Sequence, residues 1–189
     1  MPLARIVIAA LIVFTSSGTA LTAPIAPANP CEGEMRAAAA KYEVPLGVLY
    51  AVGLTESGRR ESLQPLAMNL GGAAYFASGL DDAIRRFDAA QADGIKLIDI
   101  GCMQINHHFH GREFTSLQRM FDPHANVDYA ARFLKTLRRQ EGSWTLAVAR
   151  YHAGPNNNPA QKRYVCTVIT NMVATGFGSW TETARDFCK

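Results

Sequence analysis

The chain has 189 residues and a formal net charge of +3, with 19 basic against 16 acidic side chains. That length suits one domain with a sizeable core, alone or behind a removable leader. The charge balance is too slight and too scattered for nucleic-acid binding to be the leading interpretation.

The first 20 residues have the features of a secretory signal peptide. Arg5 supplies the positive charge, the apolar stretch 6–14 follows it, and small residues close the segment. The apolar stretch is too short to span a membrane as a helix. A lipid anchor would need a cysteine directly after the leader, but Cys31 comes only after a Pro- and Ala-rich linker at 21–30. We therefore expect an exported protein with no stable membrane anchor.

Two helices are predicted after the linker. In the stretch 31–42, apolar residues recur at helical spacing behind acidic residues that favour a first turn. The next helix opens at Pro45 and is predicted to stop near Gly58, which places Glu56 in its last turn. There, an apolar stripe and the negative end of the helix macrodipole both disfavour a charge. Although a glutamate near a helix end is usually a surface residue, this position makes Glu56 a candidate proton donor.

The middle of the chain predicts a small sheet beside the helices. Residues 67–76 form two short extended pieces around a Gly-Gly turn, and 95–100 is a β-branched stretch bounded by glycines. We expect this strand to pair with one of the two pieces. A helix at 80–92 lies between them, and a histidine-rich loop follows residue 106.

Three helices are predicted in the C-terminal half. The first opens at Pro123 and ends at Gly142, and Ser143 caps the second, which places Tyr151 on its inward face. The third runs from about 159 to 175. The predicted buried stripes of the first and third are Val127, Ala130, Ala131, Leu134 and Leu137, and Val165, Val168, Ile169 and Met172.

Three separated motifs carry the residues suited to catalysis: Thr-Glu-Ser-Gly at 55–58, Gly-Cys-Met-Gln-Ile-Asn at 101–106 and Ala-Arg-Tyr-His-Ala-Gly at 149–154. In order and spacing they resemble the signature of the lytic transglycosylases of the lysozyme superfamily. In that family, Glu-Ser, Gly-Leu-Met-Gln-Ile and Ala-Tyr-Asn-x-Gly segments line one cleft. The resemblance implies a mainly helical, lysozyme-like α+β domain at 31–164, with a small β-sheet beside the cleft, and a helical extension at 165–189.

The resemblance also assigns roles. Glu56 matches the sole catalytic acid, which protonates the glycosidic oxygen and then takes the proton of the sugar's own C6 hydroxyl. Tyr151 matches the tyrosine that lies against this glutamate and holds its carboxyl group, and Gln104 matches the glutamine that places the substrate. Ordinary glycosidases need a second carboxylate, whereas here the substrate itself supplies the attacking and stabilising groups. The expected substrate-binding residues are Ser57, Asn69, Gly101, Met103 and Asn106.

The chain departs from the family motifs at three positions. Cys102 stands where the family has Leu, Arg150 where it has Ala, and His152 where it has Asn. None of these changes removes the acid or its tyrosine. The insert at 66–100 resembles that of family members attached to secretion, conjugation or pilus-type machines.

The four cysteines of an exported chain indicate disulfides, and four cysteines allow three pairings. Cys166 and Cys188 bracket the C-terminal extension, which has few apolar anchors, so their bond would stabilise it. That pairing leaves Cys31 for Cys102, which replaces a residue behind the cleft. In the alternative, Cys102 is a buried free thiol and Cys31 pairs with Cys166 or Cys188.

Five histidines raise the question of a metal site. The spacing of His107, His108 and His110 fits no standard zinc pattern, and His124 and His152 follow much later. We expect surface or cleft-rim residues, and neither a metal nor a cofactor.

The function implied is cleavage of the MurNAc–GlcNAc bond of peptidoglycan glycan strands by a monomeric periplasmic lytic transglycosylase, which leaves a 1,6-anhydro end. Components of a secretion or conjugation apparatus are the other expected partners. Two alternatives remain, a hydrolytic muramidase and a non-catalytic envelope protein that binds glycan or serves as a scaffold. An intact set of Glu56, Gln104 and Tyr151 speaks against the scaffold, which has no need to bury an acid.

Overall fold

The computed structural model describes residues 29–59, 62–154 and 158–189. The predicted signal peptide and the linker up to residue 28 lie outside the described residues. The helices are α1 (Pro30–Tyr42), α2 (Leu46–Ser57), α3 (Leu80–Ala92), α4 (His107–His110), α5 (Leu117–Phe121), α6 (Pro123–Glu141), α7 (Trp144–His152), α8 (Asn158–Ala174) and α9 (Glu182–Cys188). The strands are β1 (Ala67–Leu70), β2 (Ala73–Phe76), β3 (Ile98–Ile100) and β4 (Ile105–Asn106). Within the described ranges, no helix has the length and apolarity needed to cross a membrane.

The helix ends follow the capping chemistry of the sequence. The side chain of Asp122 accepts a hydrogen bond from the backbone N–H of Ala125 at the start of α6, and Ser143 caps α7 in the same way. Gly142 ends α6 in the left-handed conformation, with φ of 79°. The long helices therefore begin and end within one or two residues of their predicted bounds.

The four strands form one antiparallel sheet in the order β2-β1-β3-β4. The prediction that the 95–100 stretch pairs with one of the two earlier pieces is confirmed, since β3 pairs with β1. The strand is shorter than predicted, because the backbone N–H of Ile95 donates to the carbonyl of Ala90 and so completes the end of α3.

The prediction of a loop for the histidine-rich segment is wrong. Residue Asn106 ends β4 and caps α4, because its side-chain oxygen accepts from the backbone N–H groups of His108 and Phe109. A 3-10 turn, Gly111–Glu113, follows this single helical turn.

The core lies between the helices, with α2 at its centre. Helix α1 packs against α6, α6 against α7, and α8 along α2. The predicted stripe of α6 is buried throughout, and in α8 Val165 and Val168 are buried while Ile169 and Met172 pack on the edge of the core. The stripe of α8 packs along α2 and so helps to fix the position of Glu56.

Two disulfides staple the fold. Cys31 bonds to Cys102 and Cys166 bonds to Cys188, so the predicted pairing is confirmed. The first joins the start of α1 to the turn after β3. The second joins α8 to α9.

Candidate active site

A cavity of about 760 Å³ opens between the end of α2, the sheet, α4 and the end of α7. Of the residues expected from the sequence to form the site, Glu56, Asn69, Gln104, Asn106 and Tyr151 line this cavity. These side chains come from four separate parts of the chain, and the fold brings them together.

The carboxyl group of Glu56 lies at the C-terminal end of α2 with only 15% of the side chain exposed. The Tyr164 hydroxyl donates a 2.6 Å hydrogen bond to its Oε1. The Nδ1 atom of His152 lies 3.8 Å from the same oxygen. The His152 ring stacks in parallel on the Tyr164 ring, with 4.1 Å between the ring centroids. Two rings from α7 and α8 therefore hold one side of the carboxyl group.

Tyr164 is a permanent donor in this arrangement. Burial raises the pKa of its hydroxyl well above the usual tyrosine range, and the neighbouring Glu56 carboxylate raises it further. The hydroxyl therefore keeps its proton at any physiological pH. Sequence reasoning missed this residue, although Tyr164 stands four residues before Val168 and so extends the predicted inward stripe of its helix.

The expected hydrogen bond between Tyr151 and the Glu56 carboxyl group is wrong. The Tyr151 hydroxyl instead donates to the backbone carbonyl of Met103, at 2.7 Å. The physical reason is the packing of the helices: α8 runs along α2 and reaches Glu56, whereas Tyr151 on α7 faces the turn between β3 and β4. Burial raises the pKa of the Tyr151 hydroxyl well above its usual range, so this side chain also remains a donor.

Gln104 projects from a tight turn that ends β3. Its backbone is left-handed, with φ of 46°, and its side-chain amide donates to the carbonyls of Ala67 and Gly101 at 3.0 and 2.9 Å. The amide nitrogen is thus fixed to the protein. The remaining amide oxygen belongs to a side chain that lines the cavity.

Asn126 holds this turn in place from the buried side. Sequence reasoning missed this residue. Its buried side chain accepts from the backbone N–H of Met103 at 2.9 Å and donates to the carbonyls of Ile100 and Met120. A Cβ on Gly101, whose φ is 82°, would lie 2.6 Å from the Asn126 amide nitrogen. Only glycine fits there.

Three residues expected to bind substrate lie behind the cavity wall instead. Ser57 is 3% exposed, and its hydroxyl donates to the Cys102 carbonyl at 2.7 Å, which ties the end of α2 to the turn. Met103 is fully buried and Gly101 packs against Asn126. These residues support the wall from the core and do not face the cavity.

Asp99 lines the cavity, and sequence reasoning did not single it out. Asn106 donates a 2.7 Å hydrogen bond to its Oδ1. Burial raises the pKa of Asp99 above the usual aspartate value, and the charge of Glu56 raises it further, while the Asn106 hydrogen bond acts in the opposite direction. The sequence does contain a feature that could have identified this residue, because one short strand has a polar residue between two isoleucines.

The family model of the Transglycosylase SLT domain matches residues 34–171. The chain belongs to this family. The match includes all three motifs, Tyr151 of the cavity wall and Tyr164, which binds Glu56. No curated protein and no solved structure shows significant similarity to the chain.

Membership of the SLT family implies lytic transglycosylase activity on peptidoglycan. It also confirms the expected fold class, a mainly helical, lysozyme-like α+β domain with a small sheet. A peptidoglycan substrate agrees with an extracytoplasmic location.

The mouth of the SLT-domain cavity is apolar and aromatic. Leu97 and Phe109, which are 50% and 63% exposed, both line it. His110 lies beside them, where burial lowers the pKa of its imidazole and Tyr129 holds its Nδ1 at 2.8 Å. In the part of the chain that the structure describes, no three His, Cys, Asp or Glu side chains are grouped to hold a metal ion.

Proposed function

We propose that the protein cleaves the β-1,4 bond between MurNAc and GlcNAc in peptidoglycan without water and leaves a 1,6-anhydroMurNAc end. The observation that carries this proposal is the setting of Glu56. Its carboxyl group is nearly buried at a cavity wall, and a tyrosine fixes one of its two oxygens. That arrangement suits an acid that acts twice in one reaction.

The proposed reaction has two proton transfers. Glu56 donates its proton to the glycosidic oxygen, and the bond from that oxygen to C1 of MurNAc breaks. The N-acetyl group of the substrate stabilises the positive charge at C1. The Glu56 carboxylate then takes the proton of the C6 hydroxyl, whose oxygen bonds to C1. Tyr164 holds Oε1 throughout, which leaves Oε2 for the glycan.

The other cavity residues position the glycan. Gln104, Asn69 and Asn106 offer amide groups along the walls. Tyr151 acts through the turn, because its hydroxyl holds the Met103 carbonyl next to Gln104. In this proposal Glu56 is the catalytic acid and base, Gln104 contacts substrate, and Tyr151 is a positioning residue.

We further propose that the enzyme is a periplasmic monomer that opens the cell wall locally around an envelope-spanning secretion or conjugation apparatus. The support is the resemblance of the 66–100 insert to that subgroup. The same proposal places a cleaved signal peptide at 1–20, a linker at 21–30, the catalytic domain at 31–164 and a helical extension at 165–189.

Mass analysis of digested sacculi tests the reaction type. Intramolecular attack yields muropeptides that are one water lighter than the reducing ends of a hydrolase. A digest with only reducing ends would instead identify a hydrolytic muramidase, and a protein that binds sacculi and releases nothing would identify a scaffold.

A further inference from the structure

The wall of the cavity formed by α7 carries a positive charge. Among the described residues that line the cavity, Arg150 on α7 is the only lysine or arginine. The two acidic residues that line it, Glu56 and Asp99, lie on α2 and on β3. The cavity is therefore polarised, with carboxyl groups at the end of α2 and on the sheet and a fixed cation on α7.

Arg150 takes part in an ion pair that uses only part of its guanidinium group. Its Nε atom donates a 2.9 Å hydrogen bond to Oε1 of Glu141, the last residue of α6. Glu141 does not line the cavity, whereas Arg150 does. No described residue accepts a hydrogen bond from the two terminal nitrogens of Arg150, Nη1 and Nη2. The ion pair thus fixes the orientation of the guanidinium group and leaves two of its three nitrogens available.

A carboxylate is the ligand that suits these two nitrogens. A guanidinium group binds a carboxylate through two parallel N–H···O bonds, which gives geometric specificity as well as affinity. The GlcNAc–MurNAc chain of peptidoglycan is uncharged where a peptide is attached to the lactyl group of MurNAc. The attached peptide carries free carboxylates. Glu56 and Asp99 repel such a group from their side of the cavity, and Arg150 attracts it to the side of α7.

We propose that Arg150 binds a carboxylate of the peptide attached to MurNAc and so gives the enzyme a preference for peptide-bearing glycan. This proposal rests on the proposed function, because it takes peptidoglycan as the substrate. The sugar chain passes Glu56, and the acidic peptide lies against α7. The family motif has Ala at the position of Arg150, and alanine cannot bind an anion, so the preference belongs to this chain and not to the motif.

A purely structural role for Arg150 makes a different prediction. If the residue served only to join α7 to α6 through Glu141, loss of either charge would have the same effect. Arg150→Gln and Glu141→Gln each remove one charge of this pair and keep a polar side chain. Arg139→Gln, on the exposed face of α6, is the control for the loss of one positive charge.

The test is binding of a synthetic GlcNAc–MurNAc tetrasaccharide that carries L-Ala–D-Glu on each MurNAc, either as the free acid or with its carboxylates amidated. Every protein carries Glu56→Gln, so the ligand is not cleaved, and affinity is measured by calorimetric titration. We expect the Glu56→Gln parent to bind the free acid roughly tenfold more tightly than the amide, because the acid form gains a charge-assisted hydrogen bond. Adding Arg150→Gln should abolish this preference, whereas Glu141→Gln and Arg139→Gln should retain it.

Three results would overturn the proposal. They are equal binding of the two ligands by the parent, an equal loss of affinity for both ligands in Arg150→Gln, and a loss of preference in Glu141→Gln as large as that in Arg150→Gln. Arg150→Lys keeps the charge on a single nitrogen and should retain part of the preference. Since the titration needs no turnover, a digest of sacculi without 1,6-anhydro ends would contradict the proposed function and leave the preference for the acid form unaffected.

Discussion

At the scale of single residues, the position of Glu56 could be predicted and its partner could not. Helical spacing from Leu49 and Val52 places Glu56 on a buried stripe, and both of those residues are fully buried. Tyr164, however, lies 108 residues further along the chain, and its contact with Glu56 depends on the packing of α8 along α2. Sequence periodicity shows which face of a helix is buried but not which side chain it meets.

The variant Tyr164→Phe tests this partner assignment. It removes the hydrogen bond to a nearly buried carboxyl group, and bonds to charged groups contribute about 1.5–3 kcal/mol, so kcat on sacculi should fall by roughly 10- to 100-fold. Tyr151→Phe removes a bond to a backbone carbonyl and should cost only about 1 kcal/mol of stability, with a smaller rate loss. If Tyr151→Phe proved the slower enzyme, the family-based assignment of Tyr151 would be right and ours wrong.

Because of Asp99, we expect the stability of the fold to depend on pH in an unusual way. Its pKa is raised in the folded state, so protonation stabilises the fold, and that contribution is lost as the pH rises from the usual aspartate value of 3.8 through the folded value. Asp99→Asn is always neutral. Its melting temperature should therefore exceed that of wild type at pH 7, and the difference should vanish near pH 3. A lower melting temperature at pH 7 would mean that the charge stabilises the fold.

At the scale of elements, long helices and their caps follow from the sequence, whereas short elements do not. The bounds of α3 agree with the prediction because acidic residues mark its first turn and an apolar face runs through it. By contrast, β4 has two residues and α4 has four, too few for any periodicity to appear. The turn before β4 matters most, because Asn126 on α6 fixes its shape from outside.

Asn126→Ala should therefore damage both the fold and the site. It leaves three buried backbone groups without their partner, namely the Met103 N–H and the carbonyls of Ile100 and Met120. We expect a loss of roughly 3 kcal/mol in the free energy of unfolding, measured with urea, and a lower rate. Asn171→Ala is the control, since it loses one half-buried bond to Thr55 and should cost about 1 kcal/mol or less. Equal losses in the two variants would contradict the role given to Asn126.

At the scale of the whole molecule, the family and fold class could be predicted from three short motifs, because they keep their order around one cavity. The sequence could not show how the walls are built. Ser57 and Met103 belong to those motifs yet support the wall from behind, while Asp99 lies outside the motifs and faces the cavity. A residue can belong to a family motif because it supports the shared fold. Only the structure shows which side chains face the cavity.

The two disulfides should have different effects on activity. Replacing Cys166 and Cys188 by serine frees α9 and should cost roughly 3 kcal/mol in a loop of that size, yet leave turnover nearly unchanged. Replacing Cys31 and Cys102 releases the turn that carries Gln104, so both the melting temperature and kcat should fall. Turnover on sacculi and thermal unfolding of the two double variants check this. Equal activities in the two double variants would show that the Cys31–Cys102 bond has no part in shaping the cavity.

The most direct test of the central claim is turnover of sacculi by Glu56→Gln. Glutamine keeps the size and the acceptor for Tyr164 but can neither give nor take the catalytic proton. Glu182→Gln, on exposed α9, controls for the loss of one carboxylate. We predict that wild type and Glu182→Gln release 1,6-anhydro muropeptides, while Glu56→Gln stays folded and is slower by roughly 1,000-fold or more. Near-normal release by Glu56→Gln would contradict the account.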